Sequence, residues 1–301
     1  MLIVTLPAVT NPDLADIIAH PQVGAVRYNV GMRTPFSPRD TLDKIEKITR
    51  IEKKLLWVDL KGRQLRIVRW ADPDYGEIEL NHSLSVDLPA TVVFRGGFRS
   101  TIVGIEGNKI YIAPNPKEAL GAGQAVNILG RNLVIDGYLT DTDVAYIKAA
   151  GELGLNHFML SFAESESDIA SVVNINPKAD VVLKIESSLG VSLVNRFDPR
   201  QWKNCRLMAA RDDLMIQLNA SPSYMLRAVK RIIERDKTAI AASHLLTSLQ
   251  HGPVSAADLS DLYLLYQWGY RDFLLSDTIS HYYLPQAFQV WRDLMTVVDK
   301  L

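Results

Sequence analysis

The chain has 301 residues, 48% hydrophobic and 22% charged, which is enough for a full core in one large domain with room for a modest insertion. A formal charge of -1 and a pI near 6.6 exclude the broad electrostatic attraction that holds proteins to nucleic acid or anionic membrane, and small anionic ligands fit better as partners. The single Cys205 rules out an internal disulfide framework; in the apolar run CRLMAA it reads as a buried, inert thiol, which suits a reducing cytoplasm.

The N-terminus, MLIVTLPAV, lacks a basic leader region and meets Pro7 early. No apolar run reaches the roughly 18 residues needed to span a bilayer, so neither secretion nor membrane insertion is expected. Short runs rich in Val, Ile, Leu and aromatics then recur along the chain, at 2–6 (LIVTL), 24–30 (GAVRYNV), 55–60 (LLWVDL), 156–162 (NHFMLSF), 180–185 (DVVLKI), 205–210 (CRLMAA), 238–243 (TAIAAS) and 271–276 (RDFLLS). Segments of helical spacing lie at 12–20, 38–53, 140–153, 165–175, 188–196, 219–235, 255–268 and 283–299. Strands and helices in alternation predict an α/β fold, a (β/α)8 TIM barrel. One connection breaks the rhythm. From Gly62 to Asp136 the pattern turns to short alternating runs such as GEIEL, ATVVFR, STIVGI and NKIYIAP, punctuated by Gly, Asn and Pro. This predicts a small β domain, 63–136, inserted after the third strand as a lid, with 1–62 and 137–301 forming the barrel.

A parallel barrel brings the C-terminal end of every strand to one face. The strand ends here deliver Arg27 and Asn29, Asp59 and Lys61, Ser161, Lys184 and Glu186, Arg211 and Asp213, Ser243, and Ser276. Glu186 and Asp213 offer hard oxygen ligands for Mg2+ or Mn2+. Lys184 shares a strand face with Glu186, where an ammonium can neutralise a phosphoryl group or an enolate, or simply pair with that glutamate. Arg27 and Arg66 offer forked donors for phosphate. The six histidines show no zinc-binding spacing, and His244, beside Ser243, is the one that can reach the mouth. The glycines of ALGAGQAV read as a hairpin turn, and the basic residues of helix 219–235 as a solvated face.

These residues resemble the pyruvate kinase family. The runs VRYNVG, WVDLKGRQLR, LTDTDVAYIKAAGELGLNHFMLSF, LKIESSLGV, MAARDDL and AASHLLTSL follow the family's motifs in order. The resemblance implies an ATP-binding phosphotransferase of glycolysis that moves phosphate between phosphoenolpyruvate and ADP. It places Lys184 at the transferring phosphoryl group and Ser243 at the proton-delivery position and among the substrate contacts. Glu186 and Asp213 would hold the divalent cation, with Asp212 beside them at the substrate, and Arg27 would contact substrate phosphate. Asn29 and Asp59 would hold K+, and Asn29 and Arg66 would face the nucleotide.

The sequence also departs from the family. Gly31 stands where a serine ligand for potassium is usual, Leu60 and Gln64 replace Thr and Glu, and Asp212 replaces a glycine whose backbone touches substrate. FRGG stands where a lid aspartate is expected, and GAGQAVNILG lacks the lid's lysine. These losses keep open a metal-dependent lyase, aldolase or tautomerase on a small 2-oxo acid, and a non-catalytic paralogue binding metal and oxyacid. The family's C-terminal regulatory domain finds no match, so allosteric sugar-phosphate control is not expected. A homo-oligomer, taken as a dimer, is the expected assembly.

Overall fold

The computed structural model describes residues 1–117, 119–219 and 221–298. Residue 118 of the expected insert, residue 220 of the expected helix 219–235, and residues 299–301 of the expected barrel segment lie outside the described residues. Eight parallel strands close into a barrel in sequential order: Leu2–Thr5, Val23–Asn29, Leu55–Leu60, His157–Leu160, Asp180–Ile185, Cys205–Ala210, Ile240–Ala242 and Asp272–Leu274, the last returning to the first. Alternation along each strand sends one set of side chains inward and the other outward. Ile3, Ala25, Trp57, Met159, Val182, Met208, Ile240 and Leu274 fill the interior. Neighbours of opposite parity, such as Val4, Val26, Val58, Val181 and Leu183, pack outward into the larger core beneath the helices.

The helices start where the sequence supplies caps. Ser37 accepts a hydrogen bond from the Asp40 N–H ahead of Pro38, and Thr140 and Asp143 form a reciprocal capping box. Two short helices were not legible in the hydrophobic pattern, Arg211–Gln217 and Asp277–Tyr282, each beginning just after a barrel strand. At seven and six residues they are too short to show a helical period. The long helix expected from 219 begins at Pro222, where proline's fixed φ suits the first turn. Among the described residues no helix is long and apolar enough to cross a membrane.

Between the third and fourth barrel strands the chain forms an antiparallel sheet of five strands, in the order Ile78–Glu79, Lys109–Ala113, Arg99–Glu106, Ala90–Phe94 and Val126–Leu129. This sheet has its own apolar core, including Leu65, Ile78, Val92, Ile102, Ile110 and Ile128. The chain leaves the barrel through Gly62, whose φ is +50°. A Cβ there would lie 2.5 Å from the Ser161 carbonyl oxygen and 2.9 Å from the Tyr138 ring, so only glycine fits. The exit and return strands are stitched by His82, whose ring nitrogens lie 3.0 Å from the carbonyl oxygens of Gly62 and Asp136.

Candidate active site

The inward parity of the barrel core continues past the ends of the strands. Two residues beyond Val182 comes Lys184, and two further Glu186; Ala25 leads to Arg27 and Asn29, and Trp57 to Asp59 and Lys61. These side chains line a cavity of about 560 Å³ between the barrel mouth and the inserted sheet. The residues given a role by the resemblance all border it: Arg27, Asn29, Asp59, Arg66, Lys184, Glu186, Asp212, Asp213 and Ser243.

Lys184 sits at the centre. Its Nζ donates to Ser161 Oγ at 2.8 Å and lies 3.1 Å from Glu186 Oε1 and 3.5 Å from Asp59 Oδ1. Ser161 Oγ donates in turn to the Leu60 carbonyl at 2.8 Å, which turns its lone pairs toward Lys184. Burial opposes the charge on Lys184, but the Asp59 and Glu186 carboxylates outweigh it and hold the ammonium protonated.

Glu186 Oε2 accepts the Phe162 N–H at 2.7 Å. Burial pushes its carboxyl up to about 7; Lys184 pulls it down, and the nearby Asp213 pushes it up again. Asp213 accepts from Asn127 Nδ2 at 2.8 Å and from Gln64 Nε2 at 3.3 Å, and burial raises its carboxyl as well. A buried and a half-buried carboxylate therefore share too little positive charge, the condition that a divalent cation relieves. No third His, Cys, Asp or Glu joins them in a metal-holding group among the described residues.

Arg27 is heavily committed. It donates to Asp59 Oδ2 through Nε at 2.8 Å and through Nη2, and to Thr5 Oγ1 at 3.0 Å and Asp277 Oδ1 at 2.6 Å through Nη1. An anion reaching Arg27 would compete with Asp277, whose side chain is 48% exposed. Arg66 donates to Gln64 Oε1 and to the Gly123 carbonyl, so the turn in GAGQ is tied to the barrel mouth. Asn29 Oδ1 accepts the Gly31 N–H at 2.9 Å. Above it stands Lys61: a Cβ built on Gly31 would lie only 1.4 Å from Lys61 Nζ. Burial, and then the Arg66 guanidinium, push the Lys61 amine down to about 7, with Asp59 and Asp143 opposing.

Three placements differ from the strand-end reading. Asp212 and Asp213 stand in the first turn of helix Arg211–Gln217 rather than on a strand. Arg211 is drawn out of the set, because its guanidinium donates to the Ser243 carbonyl at 2.6 Å and pairs with Asp261 at 2.7 Å. Ser243 itself takes a left-handed φ of +65°. His244 pairs with Asp212 at 3.3 Å. Cys205 is only half-buried, but burial still pushes its thiol up to about 12.

The pattern missed Asn127 and Asp277. Asn127 comes from the inserted sheet and reaches Asp213 across the cavity, and Asp277 begins a helix too short to announce itself. Arg95, in the FRGG turn at the cavity's edge, is exposed and makes no hydrogen bond or ion pair among the described residues.

A family model described as pyruvate kinase, barrel domain, matches residues 99–263. Pyruvate kinase of Haemophilus influenzae is 24% identical over 279 residues, covering 79% of this chain and 56% of the relative. Pyruvate kinase of Thermoplasma acidophilum is 23% identical over 287 residues, covering 85% and 50%. The chain thus spans about half the length of these curated relatives. The crystal structure of pyruvate kinase from Pyrobaculum aerophilum superposes with a TM-score of 0.71 at 18% identity, over 98% of this chain and 72% of that one, a likeness of fold. With a family match across more than half of its residues, the chain belongs to the pyruvate kinase family.

Proposed function

We propose that this cavity binds phosphoenolpyruvate and a nucleoside diphosphate and transfers phosphate between them, with Mg2+ or Mn2+ held by Glu186 and Asp213. The observation that carries the reading is the Lys184 ammonium, fixed by Ser161, Glu186 and Asp59 and bordering the same cavity as Asp213. The paired carboxylates, both pushed up by burial, fit a hard divalent cation. When bound, that cation would neutralise charge on the transferring phosphoryl group and the enolate oxygen.

The chain's own residues supply the rest. Lys184 holds a preorganised positive charge for the phosphoryl group as its bond to the enol oxygen breaks and a bond to a nucleotide phosphate oxygen forms. The enolate left behind takes a proton at carbon, and Ser243 is the hydroxyl on the cavity wall assigned to deliver it. Arg66 and Arg95, on the side of the inserted sheet, face the nucleotide phosphates. Ser161 and Leu60 position Lys184 without touching substrate.

A coupled assay of pyruvate release, run with and without ADP, tests this. ADP-dependent release should fall by roughly 100-fold or more in Lys184→Ala, the scale expected when one preorganised charge is removed. Full activity in that variant would overturn the assignment. The hold of Asp277 on Arg27 favours a second reading, in which the site turns over a small 2-oxo acid without a nucleotide. Oxaloacetate turnover in the absence of ADP would support it, and strict nucleotide dependence would remove it.

A further inference from the structure

The divalent pair is short of positive charge, and in the pocket beside it the protein's own cations already pair with the carboxylates. Asp59, expected to hold K+ with Asn29, already pairs with Arg27 at 2.5 Å and lies 3.5 Å from the Lys184 ammonium. An added alkali cation would enter against Arg27 and Lys184, which already pair with Asp59, Asp277 and Glu186.

The space is occupied as well. Lys61 Nζ and Cε lie 1.4 and 2.4 Å from where a Cβ on Gly31 would stand, so the lysine takes the place in which a residue-31 side chain would begin. Lys61 is buried, and its backbone N–H is held by Asp143 Oδ1 at 2.7 Å, so its side chain starts from a fixed point. The Asn29 amide oxygen is engaged by the Gly31 N–H, and the Leu60 carbonyl by Ser161. The residues present do not fit a potassium ion.

We infer that Gly31 and Lys61 form one unit that replaces the monovalent-cation site, so that the lysine amine fills the pocket beside Asn29 and Asp59 and no alkali cation binds there. The inference rests on the family reading of the preceding subsection for the position of that pocket, but the occupancy is a property of this chain. It makes glycine at 31 a requirement of Lys61, and it predicts an active site indifferent to the choice of monovalent salt.

The test uses the full chain in three arms. First, the metal-free protein is melted in KCl and in tetramethylammonium chloride at equal ionic strength; equal Tm values are expected, and a K+-specific rise overturns the inference. Second, Mn2+ with oxalate is added in each salt. Affinities should agree within about twofold, and K+-dependent affinity overturns the inference. Absence of binding in both salts would sink the proposed metal and oxyacid site while the first arm still decides the question of K+.

Third, Gly31→Ser should lower Tm by forcing Lys61 out, and Gly31→Ser with Lys61→Ala should recover stability and gain a K+-specific rise in Tm. Such non-additivity is the signature of two residues competing for one space. A Gly31→Ser protein as stable as the parent would show that the space is free and would overturn the inference. If the double variant fails to fold, the first arm on the unmodified chain remains decisive.

Discussion

At the scale of single residues, the site is governed by which carboxylates are compensated and which are not. Glu186 has an ordinary value of 4.5 and is pushed to about 7 in the fold, so between these values the folded chain binds more protons than the unfolded one. The sign follows: in the absence of a divalent cation, stability should fall as pH rises through this window and level off above it, by up to roughly 3 kcal/mol. Urea melts across this range should show the decline, Mg2+ should remove it, and Glu186→Gln should flatten it. A metal-free stability that rises through the same window would contradict the burial argument. Asp277 makes the opposite case. Arg27 and, less strongly, the adjoining cations hold its carboxyl low against burial, and it stands where an incoming anion would meet that guanidinium. Asp277→Asn keeps a hydrogen-bond acceptor but removes the charge. Oxalate affinity measured by calorimetry should rise up to about tenfold; an unchanged value would mean that the ligand does not approach Arg27.

At the scale of elements, the site was legible wherever strand parity ran on past the last hydrogen-bonded residue. Val182, Lys184 and Glu186 form one inward series, as do Ala25, Arg27 and Asn29, and the apolar members announce where the polar ones will point. Parity fails where a helix starts at once. Asp213 and Asp277 lie in first turns, where the side-chain period is no longer two, and Arg211 turns toward Ser243 and Asp261 instead of the cavity. Contacts between the barrel and the inserted sheet were illegible for another reason, since Asn127 and Asp213 are 86 residues apart and no local pattern links them. Asn127 donates to Asp213 and accepts from Gln217 at 2.8 Å, so strand Val126–Leu129 is fastened to helix Arg211–Gln217. Asn127→Ala should cost about 1 kcal/mol and leave Asp213 short of a donor. Hydrogen exchange should quicken in both elements while the remaining barrel strands keep their protection. Uniform loss of protection would show that the contact supports the whole fold rather than the fastening alone.

At the scale of the whole molecule, the apolar core within the inserted sheet does not merge with the two of the barrel, one inside the strands and one under the helices. The alternating runs from Gly62 to Asp136 read differently from the barrel because a sheet packed on one face has period two, whereas the barrel's buried strands read as continuous apolar runs. The barrel does not need the inserted strands to close, since the third strand pairs directly with the fourth through Val58 and Phe158, Asp59 and Met159, and Leu60 and Leu160. The two chain crossings also lie side by side, bridged by His82 between the Gly62 and Asp136 carbonyl oxygens. Replacing 63–136 by a short glycine-rich linker should therefore leave a chain that melts cooperatively with the far-ultraviolet signature of a (β/α)8 barrel. That chain would have lost Gln64, Arg66, Arg95 and Asn127 from the cavity, so nucleotide affinity should fall below that for Mn2+ and oxalate, which rely on Glu186, Asp213 and Lys184 on the barrel. A non-cooperative melt would show instead that the inserted sheet is part of the barrel's folding unit. Equal loss of both ligands would place the oxyacid on the sheet rather than at the strand ends.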